Sequence, residues 1–188
     1  MIRIPTKVDT RYDNAPILEF ACDQLTLQGY SRAAVQTYWR IPEHKIIIDH
    51  GAHPWEFYNS PTMAITHTHA DHCNGIVNYI ATRHLFRLSI PTIYVPPHTK
   101  DTICNVIESW KILNNQKFEY DVQSFAIGDE QKVHANVYLT AFHATHSIET
   151  QGYCLVEKTD KLKPELAQLE QKQIDKKRLA GEDITNPQ

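Results

Sequence analysis

Within six residues, His67-Thr68-His69-Ala70-Asp71-His72, the chain sets three imidazoles and a carboxylate. Neutral imidazole and carboxylate are the usual nitrogen and oxygen ligands of zinc. The run follows Met63-Ala64-Ile65-Thr66, a short apolar stretch that reads as a buried strand. Gly75 and the apolar Ile76, Val77, Tyr79 and Ile80 come next, at a spacing that suits a helix. The polar run is therefore predicted at the carboxyl end of a strand, at the mouth of a sheet. Open α/β folds commonly carry their chemistry there.

The spacing has a direct geometric meaning. In an extended segment His67 and His69 are two apart and point the same way, so both can reach one metal. Asp71 and His72 enter the next turn and face a second position. Two metals about 3.5–4 Å apart can stabilise both the attacking and the leaving oxygen of a phosphoryl displacement. The alternative is a histidine-rich surface turn that binds nothing, which requires both the composition and the strand-to-helix context to be accidents.

The rest of the chain fits one α/β domain over residues 1–188. Hydrophobic content of 41% and charged content of 22% are ordinary for a globular domain. No run approaches the roughly 18 apolar residues of a membrane span. Met1-Ile2-Arg3-Ile4-Pro5 has no apolar core for secretion. Cys22, Cys73, Cys104 and Cys154 form no close pair, which argues against a disulfide framework and points to the cytoplasm. Strands are expected at Ile17–Phe20, Ile46–Asp49, Met63–Thr66, Ile93–Val95, Tyr120–Ala126, Lys132–Phe142 and Tyr153–Glu157. Helices are expected from Ala70 or Asn74 to Arg87, across Ile103, Val106, Ile107, Trp110 and Leu113, and from Pro164 to Ala180. The tail 182–188 is expected to fray. Net charge is −3, without a global nucleic-acid footprint, but between Glu157 and Arg178 seven basic residues face five acidic ones. A solvated helix surface explains that excess equally well.

The histidine run resembles the metal signature of the metallo-β-lactamase superfamily. Two other segments resemble that pattern in the same order: Ile46-Ile47-Ile48-Asp49 with Gly51, and His146 followed by Gln151-Gly152-Tyr153. Within the superfamily, Ile93-Tyr94-Val95-Pro96-Pro97, Gln151-Gly152-Tyr153 and Lys161-Leu162-Lys163-Pro164-Glu165 are similar to the ribonuclease Z group, endonucleases that trim the 3′ end of precursor tRNA. The resemblance implies an αββα sandwich. It implies metal ligands His67, His69 and His146 for a first ion and Asp71 and His72 for a second. Asp71 would also move protons in catalysis. Asp49 would orient the ligand loop without ligating. His143, three residues before His146, is the rival at the strand end, with a supporting role as its alternative. His50 and His53 are left out of the ligand set, since a lone histidine is more often a hydrogen-bonded structural residue. His44, His84, His98 and His134 read as ordinary surface or core residues.

The departure from the family is at the carboxyl end. Family members continue to a Gly-Asp strand whose Asp bridges both metals, and then to one more histidine. Here Gly128-Asp129 is the only such pair, and it precedes His146. The resemblance thus implies an incomplete sandwich that binds one zinc well and a second poorly. It implies precursor tRNA as substrate, and a homo-oligomer or complementing chain as partner. The alternatives are a hydrolase of small esters on the same fold, and a catalytically dead chain kept as a binding module.

Overall fold

The computed structural model of the protein describes residues 7–9, 14–158 and 160–187. Met1–Pro5, examined above for a secretion segment, lies outside them. Eight strands form one sheet in sequence order: β1 (Lys7–Asp9), β2 (Ile17–Cys22), β3 (Leu25–Arg32), β4 (Gln36–Ile41), β5 (Ile46–His50), β6 (Thr62–Ala64), β7 (Thr92–Val95) and β8 (Asp121–Ser124). Pairing is antiparallel up to β5 and parallel from β5 to β8. A second sheet runs β11 (Thr150–Glu157), β10 (Val137–Ala144), β9 (Glu130–His134).

Strand periodicity decides the layering. On β5, β6 and β7, Ile47, Met63, Ile93 and Val95 join one core, and the alternating Ile46, Ala64 and Tyr94 join another. The first core is closed by α2 (Ile76–Leu85) through Ile76, Tyr79 and Ile80, and by α3 (Lys100–Asn114) through Ile103 and Ile107. The second is closed by the small sheet, with Leu139 and Ala141 fully or nearly buried and Tyr153 and Leu155 packed beside them. Helices, large sheet and small sheet stack as three successive layers. Each fully buried Ile or Met contributes roughly 1.5–3 kcal/mol.

Several boundaries differ from the sequence reading. The helix expected from Ala70 to Arg87 is two pieces, α1 (Ala70–Cys73) and α2, interrupted at Asn74-Gly75. Gly75 sits where a Cβ would lie 2.6 Å from the carbonyl oxygens of His50 and Ala52, so a side chain has no room there. The segment Lys132–Phe142 is a hairpin, with Ala135 at φ 33° between β9 and β10. The helix expected from Pro164 to Ala180 is a 3-10 turn at Pro164–Leu166 followed by α4 (Gln171–Leu179), whose start is a capping box between Glu170 and Gln173. The tail 182–188, expected to fray, carries β13 (Thr185–Pro187), paired with β12 (Asp160–Leu162), and Ile184 is buried. The strands Leu25–Arg32 and Gln36–Ile41 were not anticipated. Among the described residues no helix is long and apolar enough to cross a membrane.

Candidate metal centre

The ligand loop leaves β6 and is pinned from three sides. From the small sheet, the Gln151 N–H donates to the Thr66 carbonyl at 3.1 Å, and the Tyr153 hydroxyl donates to the Ile65 carbonyl at 2.9 Å. From β5, the Asp49 carboxylate accepts the Thr66 N–H at 2.8 Å. From the β5–β6 connection, Gly51 lies so close that a Cβ there would fall 1.7 Å from the Asp71 carbonyl oxygen. Asp49 holds φ at 59°, a conformation that costs a non-glycine residue energy and persists where surroundings enforce it.

Hydrogen bonding fixes the histidine tautomers. The Thr66 hydroxyl donates to Asp49, since an ionised carboxylate only accepts. His67 Nδ1, 2.9 Å from that same hydroxyl oxygen, must then carry the proton, which leaves a lone pair on Nε2. His72 Nδ1 lies 2.7 Å from the second Asp49 oxygen and donates to it, again leaving Nε2 bare. One carboxylate thus sets both rings.

Three ring nitrogens converge. His67 Nε2 and His69 Nδ1 are 3.1 Å apart, and His146 Nε2 is 3.2 Å from the same His69 atom. All three ligand atoms lie within 4.8 Å of one another. A tetrahedral zinc with bonds of 2.0–2.1 Å sets neighbouring nitrogens about 3.3 Å apart, close to both separations at His69. Burial, then the neighbouring His72, push His67 down to about 4, which keeps it neutral and ready to ligate at ordinary pH. Burial works against protonation of His72 as well, but its hydrogen bond and charge pairing with Asp49, aided by Asp71, raise it above the usual histidine value.

Asp71 and His72 stand beside this trio. Asp71 Oδ2 accepts the Ala34 N–H at 2.9 Å and lies 3.6 Å from His72 Nε2. The His67 and His72 rings are 4.0 Å apart at their centroids. Two donors are a start for a second ion and fewer than a catalytic zinc site uses. His143 sits on β10 opposite Gln151, exposed, and is not part of the three-histidine cluster. His50 and His53 form a separate buried chain: His50 Nε2 to His53 Nδ1 at 2.9 Å, and His53 Nε2 to Thr82 Oγ1 at 3.1 Å. Thr66, Gln151 and Tyr153 are the contributors that a search for ligand types passes over. Thr66 was legible only as the residue between strand and histidines.

No family model matches the chain. Among reviewed proteins it is similar to the chloroplastic tRNase Z of Arabidopsis thaliana, at 29% identity over 164 residues, 87% of this chain and 46% of that one. A second Arabidopsis tRNase Z is 29% identical over 85% of this chain and 57% of its own length. The nuclear ribonuclease Z of Triticum aestivum is 28% identical over 160 residues, 85% of this chain and 91% of that one. The chain is ribonuclease Z-like. Its layering, helices on one face of the large sheet and the small sheet on the other, is the α/β architecture expected from the sequence. Human tRNase Z, short form, superposes with a TM-score of 0.49 at 14% identity, over 83% of this chain and 62% of that one. This ribonuclease Z-like chain spans about half the length of the two Arabidopsis relatives. Of its basic carboxyl-terminal residues, Lys158, Lys163 and Lys177 are paired with Glu130, Asp183 and Glu182.

Proposed function

We propose that the chain is a zinc-dependent phosphodiesterase of the ribonuclease Z type, cutting precursor tRNA at its 3′ end. The observation that carries this reading is the cluster of three imidazole nitrogens within 4.8 Å of one another, with the protonation of His67 set by Thr66 and Asp49. The names of the two Arabidopsis relatives, both tRNase Z, support tRNA as the substrate class.

His67, His69 and His146 would hold the first zinc. What that ion supplies when bound is Lewis acidity, which brings the pKa of water towards about 7. Asp71 is placed to handle the proton. Its Oδ2 is anchored on the Ala34 N–H, and Oδ1 has no hydrogen-bond partner among the described residues. The water oxygen forms a bond to phosphorus as the bond to the ribose oxygen breaks. The water's proton passes to Asp71 and on to the leaving oxygen. His72, held on Asp49, presents Nε2 for a second ion, at which Asp71 is the other donor at hand.

The four free, separated cysteines support a reducing compartment. The relatives' names include both chloroplastic and nuclear forms.

Metal content and cleavage together test the proposal. Protein purified without chelator should carry about one zinc. It should cleave a precursor tRNA bearing a 3′ trailer. A zinc-free chain, or a zinc-loaded one that cuts bis-p-nitrophenyl phosphate but no tRNA in any mixture, would sink the tRNA assignment.

A further inference from the structure

A cavity of about 500 Å³ lies beside the metal loop, between α1–α2 and α3. That volume falls within the roughly 300–1,000 Å³ of sites for small organic ligands. Thr68 and Ala70 form its near end. Thr68 lies between His67 and His69 on the extended segment and Ala70 opens α1, so the cavity sits next to the metal position and not on it. His98, also on its rim, is tied to Glu149 at 3.3 Å, and Glu149 is three residues after His146. The cavity is thus flanked by both segments that supply the imidazole trio.

Its chemistry is divided. Ile76, Val77, Ile103, Val106 and Ile107 make apolar walls, and Trp110, 46% exposed, offers an indole face at the rim. Asn74, Thr68 and Thr102 place amide and hydroxyl groups around it. The Asn74 backbone N–H donates to the Ala70 carbonyl, but its side-chain amide makes no hydrogen bond among the described residues, so that amide can give and accept one bond each to a ligand edge. A flat ligand with apolar faces and a polar edge matches such a lining. A ligand joined to a phosphate at the metal centre would be held one unit away from the reacting bond.

We propose that this groove is a nucleobase subsite, taking the base of the nucleotide next to the scissile phosphate by stacking on Trp110 and edge hydrogen bonds to Asn74. Stacking of a base on an aromatic side chain is worth roughly 5- to 150-fold in affinity, the equivalent of about 1–3 kcal/mol. The assignment rests on the phosphodiesterase reading above and adds to it a place where sequence is read next to the cut.

Adenosine, adenosine 5′-monophosphate and ribose 5-phosphate, titrated calorimetrically into the full chain, test it. Adenosine and its monophosphate should bind, and Val106→Trp, which fills the groove from an exposed helix position, should weaken both at least tenfold. Ribose 5-phosphate, which has no base, should be indifferent to that change. Zinc content and melting temperature serve as checks on the variant. Val77→Phe, filling from the opposite wall, should act alike and stands in should Val106→Trp fail to fold. Unchanged adenosine affinity in both variants, or no adenosine binding to the parent, overturns the subsite. So does a dimer that dissociates in the variants while adenosine binding stays the same, because the groove then seats a second copy. A parent that turns over no phosphodiester yet binds adenosine in this groove would refute the hydrolase reading and support the cavity assignment.

Discussion

Asp49 Oδ2 and His72 Nδ1 meet at 2.7 Å, and the same carboxylate accepts both the N–H and the hydroxyl of Thr66. A single buried side chain therefore governs which nitrogen is bare on His67 and on His72. Groups that orient metal ligands in this way are worth about 10–100-fold in metal affinity. Asp49→Ala should weaken zinc binding by that factor while leaving His67, His69 and His146 in the sequence. Competition against a chromophoric chelator measures it, and an unchanged constant would show that the tautomers are set by something else.

His69 is the hub of the trio, because its Nδ1 alone faces both other ring nitrogens at 3.1 and 3.2 Å. His69→Ala should abolish tight zinc binding, reducing content from about one ion to none after gel filtration. His143→Ala, outside the cluster, should retain the metal. Plasma mass spectrometry on the two variants distinguishes His143 from His146 as the third ligand, since His146→Ala should behave like His69→Ala.

The ligand run was legible because its members are neighbours in sequence and their chemistry is unusual for either a core or a surface. Asp49 and Gly51 were legible by resemblance. What closes the site was much harder to read. His146 meets His69 across 77 residues, and its approach depends on Gln151 and Tyr153 fastening the small sheet to the end of β6. Neither fastening residue carries a pattern that local periodicity reports. The strands β3 and β4 were missed for a related reason. Leu25–Arg32 and Gln36–Ile41 mix Gln, Thr, Ser and Arg with their apolar residues, and their pairing is decided by neighbours across the sheet. The tail was misjudged because Ile184 finds burial and β13 finds β12, a tertiary gain that polarity alone hides.

Gly51 should be intolerant of any side chain. A Cβ there would overlap the Asp71 carbonyl, 1.7 Å away, and both belong to rigid backbone. Gly51→Ala should cost about 3 kcal/mol, the upper end for overpacking, and should displace Asp71 and His72 together. Gly128→Ala is the control: its φ of 88° imposes strain but the space around it is open. About 1 kcal/mol is expected there, without effect on zinc. Urea unfolding of the two variants gives the comparison; equal losses would contradict the close approach.

The buried pair His50–His53 predicts how the metal-free protein responds to acid. Burial lowers His53 to about 4, and burial followed by the neighbouring His53 holds His50 well below the ordinary histidine value. Both are neutral in the folded state, whereas in the unfolded chain they take up protons near pH 6.5. The unfolded state thus binds more protons between pH 6.5 and 4, so stability must fall as pH falls through that window. For His53 alone the loss approaches about 3 kcal/mol at pH 4. His53→Asn should flatten the slope by up to one proton, with His50 and His67 supplying the remainder. Chemical unfolding of chelator-treated protein from pH 7.5 to 4.5 reads that slope. A profile identical in parent and variant would mean that His53 is protonated in the native state and that the His50–His53–Thr82 chain runs differently.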